Sequence, residues 1–154
     1  MPGRIETRLA ELGISLPDPM APVATYAPFV QSGNLVVVSG QLPASGGQVS
    51  VTGKLGRWLS VEQGQRAARL CFLNVLAQLK SACGELDRVR RVVRLGGYIA
   101  CEPEFTEHAK VMNGASDLAV AVFGDAGRHA RTTIGAPSLP LDAAVEVEGM
   151  FEIF

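Results

Sequence analysis

The chain has 154 residues, 47% of them hydrophobic and 19% charged, with a net charge of −1 at pH 7. That length suits one domain spanning 1–154 with its own core, and the near-zero charge offers no basic field for a phosphate backbone, so nucleic acid is not an expected partner. No apolar run approaches ~18 residues and no signal-peptide core opens the chain, so a membrane span is not expected and the expected location is cytoplasmic.

Residues 4–12 read as a short helix, with Ile5, Leu9 and Leu12 on one face and Gly13 as the stop. Leu16-Pro17-Asp18-Pro19-Met20-Ala21-Pro22 cannot hold regular structure, so residues 1–22 form a helix followed by an extended connector. Residues 23–31 are strand-like, Gln31-Ser32-Gly33-Asn34 is a turn, and Leu35 to Val38 is a β-branched run ending at Ser39-Gly40-Gln41, which together predict a hairpin. Pro43 to Gly47 reads as a loop and Gln48 to Thr52 as a short third strand. Ser60 and Gln63 form a capping box. Beyond it Ala68, Cys71, Phe72, Val75, Leu76 and Leu79 trace a helical stripe that continues to Cys83, and Gly84 closes the helix. Asp87 to Ala100 is a long strand in which Arg88, Arg90, Arg91 and Arg94 alternate with valines as a solvated face. Phe105 to Phe123 is a second amphipathic helix, ended by Gly124-Asp125-Ala126-Gly127, and two strands follow.

This order predicts an α+β fold with one mixed sheet and two long helices on one of its faces. The other face keeps apolar positions such as Val37, Val93 and Ile134, and a naked apolar sheet face is a reason for copies of the chain to associate. Cys71, Cys83 and Cys101 are odd in number and lack CxxC spacing, so buried free thiols are expected, with Cys101 at a strand end where a thiol could react. His108 and His129 have no acid or thiol at ligand spacing, so no metal is expected. His129 is expected to point away from the strand face that carries Arg131.

The segment Arg131-Thr132-Thr133-Ile134-Gly135-Ala136-Pro137-Ser138-Leu139-Pro140, followed by Val145-Glu146-Val147-Glu148, reads as two extended runs joined by a Pro-containing turn. It offers a guanidinium on one strand and a carboxylate on a neighbouring one. A guanidinium holds a planar carboxylate bidentately, and an acid positions or deprotonates water. The same pattern also fits a surface or inter-subunit ion pair.

Three blocks make the pattern specific: Pro28-Phe29-Val30-Gln31 with Gly33 to Pro43, Val111-Met112-Asn113, and Arg131…Leu139-Pro140…Val145 to Glu148. In order and spacing they resemble the RidA/YjgF family of reactive imine/enamine deaminases, whose members also go by the name L-PSP endoribonuclease. The resemblance runs from about residue 23 to the C-terminus, and the N-terminal helix resembles the family's longer branch. It implies a chorismate mutase-like fold, a homotrimer with ligand clefts between subunits, and no metal or organic cofactor.

Carried over by position, the resemblance makes Arg131 the carboxylate ligand and Glu146 the holder of the hydrolytic water. Thr133, Ser39 and Gly40 offer backbone to the cleft, and Asn113 lies at its wall. Phe29 stands where many members have a tyrosine, so the wall is kept but a hydroxyl is lost. The implied activity is hydrolysis of 2-imino or enamino acids to keto acids and ammonia. A non-catalytic trimer that binds small carboxylates is the alternative, and an endoribonuclease is less expected, since no histidine acid/base pair is evident.

Overall fold

The computed structural model describes residues 1–22 and 24–154. Their helices are α1 (Arg4–Glu11), α2 (Val61–Cys83) and α3 (His108–Phe123). Their strands are β1 (Phe29–Ser32), β2 (Leu35–Gln41), β3 (Ala44–Ser45), β4 (Gln48–Val49), β5 (Val89–Ala100), β6 (Ala130–Ala136) and β7 (Val145–Ile153). Five of the strands form one mixed sheet in the order β1-β2-β7-β5-β6, in which only β5 and β6 run parallel. The α+β architecture and the pair of long helices on one face are as the sequence predicts.

Several local expectations hold for the stated physical reasons. Gly13 leaves α1 at φ +70°. Ser60 Oγ accepts from the Gln63 amide at 3.2 Å while Gln63 Oε1 accepts from the Ser60 amide at 2.8 Å, which satisfies two of the N–H groups that open α2. The loop expected at 43–47 instead contains β3, which pairs with β4 across Gly46-Gly47; both glycines have positive φ, as a two-residue hairpin turn requires. The strand expected from residue 23 begins at Phe29, and Val23 itself lies outside the described residues. The helix expected from Phe105 begins three residues later, with the Phe105 ring set edge-on to His108 at 5.3 Å.

The core lies between the sheet and α2/α3, where Phe72, Leu76, Leu79, Leu95, Met112 and Phe151 are fully buried. Each such side chain contributes about 1.5–3 kcal/mol of transfer free energy. Close helix packing depends on missing side chains: a Cβ at Gly114 would run into the Gln65 carbonyl, and one at Gly64 would meet Leu55 and Val111. Gln65 Nε2 then donates to the Lys110 carbonyl at 2.9 Å across the same contact.

Along β7, Val145, Val147, Phe151 and Ile153 point to the helices, and Glu146, Glu148, Met150 and Glu152 point the other way. That second face also carries Val30, Leu35, Val37 and Ile134, all exposed. Val93, expected among them, is half-buried at a register shift between Val92 and Arg94. The four arginines of the β5 region do not gather into a patch. Arg88 and Arg91 donate to backbone carbonyls, and Arg90 and Arg94 face Glu152 and Glu148. No helix among the described residues is long and apolar enough to cross a membrane.

The N-terminal segment is tied to the fold at several points. Both Asp87 carboxylate oxygens accept from backbone amides at the start of α1, Arg4 at 2.8 Å and Ile5 at 2.7 Å, and these bonds hold the Asp87 carboxyl below its ordinary value. Lys80 pairs with Glu6 at 2.8 Å, and the buried Gln78 side chain donates to the Met20 carbonyl at 2.7 Å, fixing the connector.

Candidate functional site

The strands carrying Arg131 and Glu146, expected to be neighbours, are not adjacent within the chain, and the two side chains do not pair. β5 lies between β6 and β7, so the turn after Ala136 joins strands that are not adjacent. The two side chains also leave opposite faces. Arg131 points to α3, whereas Glu146 points away from the helices. Two strand spacings amount to roughly 10 Å before the face difference is added, too far for one small molecule to touch both.

The chain therefore carries two separate clusters. The first surrounds Arg131, which is half-buried on the edge strand β6. Its Nη1 donates to Asn113 Oδ1 at 2.9 Å and to Ser116 Oγ at 3.0 Å, and its Nη2 donates to the Ala109 carbonyl at 3.3 Å. All three acceptors are neutral, so the guanidinium is held in place without its charge being cancelled by any acid among the described residues. Thr133 follows on the same face of β6, and its buried Oγ1 has no hydrogen-bond partner among the described residues.

Sequence reasoning missed Ser116 and misplaced His129. Residues two apart on an extended chain share a face, so His129 lies on the side of Arg131 rather than opposite it. His129 Nδ1 is 2.6 Å from the Gly127 carbonyl and Nε2 is 2.8 Å from Ser116 Oγ. A carbonyl only accepts, so Nδ1 carries the proton, Nε2 accepts from the Ser116 hydroxyl, and Ser116 Oγ is left to accept from Arg131. This directional chain requires a neutral imidazole. Burial, aided by the Arg131 charge, pushes the His129 pKa down in the same sense. The signal available in the sequence was the i, i+3 spacing of Asn113 and Ser116, which puts both on one side of α3.

The second cluster surrounds Glu146. Its carboxylate fills the space that a Cβ at Gly40 would need, so a residue without a side chain lets the strand pass beside the acid. Glu146 lines a small cavity of about 50 Å³ together with Met20, Pro22, Tyr26 and Gln41. Burial, and then the Glu148 charge, raise its pKa above the ordinary carboxylate value. Tyr98 ties Glu148 down by donating to its Oε1 at 2.5 Å. Ser39 contributes its hydroxyl to the Ala27 carbonyl at 2.7 Å and its amide to the Pro28 carbonyl at 2.9 Å, which pins the segment carrying Tyr26. Phe29, expected at the wall of a cleft between subunits, packs within the protomer against the edge of the hydrophobic core, and Tyr26 lines the Glu146 cavity. The turn leading into β7 is strained, with Leu141 and Asp142 at φ +56° and +57°.

Fold and clusters together describe an α+β sheet domain with a chorismate mutase-like arrangement and an uncompensated guanidinium at its edge strand. The model of the family described as "YjgF/chorismate mutase-like, putative endoribonuclease" matches residues 6–153, and the chain belongs to that family. It is 48% identical over 152 residues to Protein TCP17 of Trypanosoma cruzi, covering 98% of this chain and 95% of that one. The crystal structure of Atu1372 from Agrobacterium tumefaciens, a protein of unknown function, superposes with a TM-score of 0.91 at 50% identity, covering 97% of this chain and 92% of that one. A Shewanella oneidensis MR-1 protein that carries the endoribonuclease description superposes at 0.95 with 38% identity, covering 98% and 100%.

Proposed function

We propose that the protein hydrolyses 2-imino and enamino acids to keto acids and ammonia, in a cleft completed by a second copy of the chain. The observation that carries this reading is Arg131, a half-buried cationic fork held by three neutral acceptors. A substrate carboxylate supplies the missing charge, and charge-assisted hydrogen bonds of this kind contribute roughly 1.5–3 kcal/mol. The unpartnered Thr133 hydroxyl beside it suits a second oxygen of the same ligand.

Because Arg131 and Glu146 cannot meet inside one protomer, the acid facing a substrate on Arg131 comes from a neighbour. A trimer built over the exposed apolar sheet face is the assembly that the family resemblance implies. In such a cleft Glu146, whose raised pKa makes it a better proton acceptor than an ordinary carboxylate, takes a proton from water as the water attacks the imine carbon. Glu146 returns that proton to the imine nitrogen to give the carbinolamine, then takes the hydroxyl proton and delivers it to the amino group as the C=O bond forms and the C–N bond breaks, so that ammonia leaves. Ser39 and Gly40 line the Glu146 side through backbone, and Asn113 acts by holding the Arg131 fork. Positioning and proton transfer are the whole of the chemistry asked of these residues.

The separation of the two clusters also supports a second reading, a carboxylate-binding protein that uses the Arg131 cluster alone. The two readings part on one experiment: 2-iminobutyrate generated in situ, with decay followed for the wild type, Arg131→Ala and Glu146→Gln. A deaminase accelerates decay and loses the acceleration in both variants. A binder decays the imine no faster than buffer, yet still binds 2-ketobutyrate through Arg131.

A further inference from the structure

Four residues along β6 from Arg131, the end of β5 and the first turn of α3 bring a thiol and an imidazole together. Cys101 Sγ lies 3.6 Å from His108 Nε2. Seven residues separate the two in sequence, a spacing that gave no hint of a pair. They line a cleft of about 530 Å³ that also contains Lys54, Glu102 and Phe105. The edge-on contact with Phe105 fixes the imidazole plane. Gly135 of β6 passes directly beside the pair: a Cβ there would come within 2.7 Å of both Cys101 Sγ and His108 Nε2. Only bare backbone leaves the two atoms room beside that strand.

The other thiols are differently placed. Cys71 is fully buried and directs its S–H to the Val145 carbonyl at 3.3 Å, and Cys83 directs its own to the Glu85 carbonyl at 3.1 Å. Among the described residues each of these thiols meets a backbone carbonyl rather than an imidazole, and neither lines this cleft.

We propose that Cys101 and His108 form a second site, in which the thiol adds to small α,β-unsaturated carbonyl compounds. His108 Nε2 takes the proton as the S–H bond breaks, and the sulfur electron pair forms a bond to the β-carbon. The C=C electron pair moves towards the carbonyl oxygen, where the Lys54 ammonium, only loosely paired with Asp142 at 3.9 Å, offsets the developing charge. His108 then returns the proton to the α-carbon. The product is a thioether, and no oxidant or reductant is consumed. Burial holds the Cys101 thiol above its ordinary pKa, so little thiolate stands ready and the imidazole sets the rate.

The test uses acrylamide as the probe, with intact-mass spectrometry and peptide mapping of the folded protein. A single adduct is expected at Cys101, with Cys71 and Cys83 unmodified, and His108→Gln should slow its formation at least roughly ten-fold. In urea the wild type and His108→Gln should react at the same rate, which separates the effect of the folded pair from that of the thiol itself. Equal rates in the two folded proteins, or alkylation of Cys71 or Cys83 ahead of Cys101, would overturn the proposal.

Discussion

Arg131 and Glu146 occupy opposite faces of the sheet with β5 between them. A catalytic role for both requires two copies of the chain, so assembly and activity should be lost together. Replacing Val37 or Ile134, exposed on the uncovered face, with glutamate places a charge where copies would meet. Light scattering should then report a monomer, and 2-iminobutyrate decay should fall to the buffer rate. A monomeric variant with full activity would show that one protomer suffices.

Removing the guanidinium should cost more than loosening it. Arg131→Ala is expected to lower kcat/KM by at least about 10²-fold, because substrate positioning is lost. Asn113→Ala removes one of its three acceptors and should cost on the order of ten-fold or less, about 1 kcal/mol. Circular dichroism melts should remain near wild type for both, since neither residue is among the buried core.

Glu146 is expected to show its environment in a pH profile. Burial comes first and Glu148 second among the causes that raise its pKa, so Glu148→Gln should move the acid limb of kcat to lower pH. The stability consequence has a definite sign. A carboxyl raised in the folded state contributes stability below its unfolded pKa and loses it as pH rises through the folded value. Glu146→Gln should therefore be inactive yet slightly more stable than wild type at pH 8, by under about 1 kcal/mol after solvent screening. Thermal unfolding at pH 4 and pH 8 checks the sign.

His129 works in the opposite direction. Its folded pKa is depressed, so its contribution is present above the unfolded value near 6.5 and is lost as pH falls below it. Protonation would turn Nε2 from an acceptor into a donor and break the chain through Ser116 to Arg131. Urea midpoints measured between pH 7.5 and 5.5 should fall more steeply for wild type than for His129→Gln.

The helix contact gives a prediction independent of function. Gly114→Ala inserts a methyl against the Gln65 carbonyl, which is backbone and cannot swing aside. Overpacking of this kind costs about 1–3 kcal/mol, which urea unfolding will measure. Gly13→Ala meets no neighbouring atom and is strained only by its positive φ, so its cost should be the smaller of the two.

Much of the fold was legible because local chemistry decided it. The Ser60–Gln63 capping box, the Gly13 and Gly84 stops, the stripe from Ala68 to Leu79 and the alternation of β7 each depend on residues within a turn or two of one another. The candidate site residues came instead from the resemblance of the Arg131, Asn113 and Glu146 blocks to a known family. Their placement was not legible. Strand adjacency depends on β5, contributed from thirty residues upstream, pairing between β6 and β7, and no local pattern encodes that insertion. Tyr26 lines the Glu146 cavity because Ser39, through its hydroxyl and its amide, holds the Ala27 and Pro28 carbonyls that follow Tyr26. The Cys101–His108 pair exists only because a strand end and a helix start converge beside a residue without a side chain. Sequence alone settled the long helices and strands and which face of each is apolar, since those follow from residues close in the chain. The tertiary structure decided which functional groups share a space, since distances between distant segments are set by packing rather than by order along the backbone.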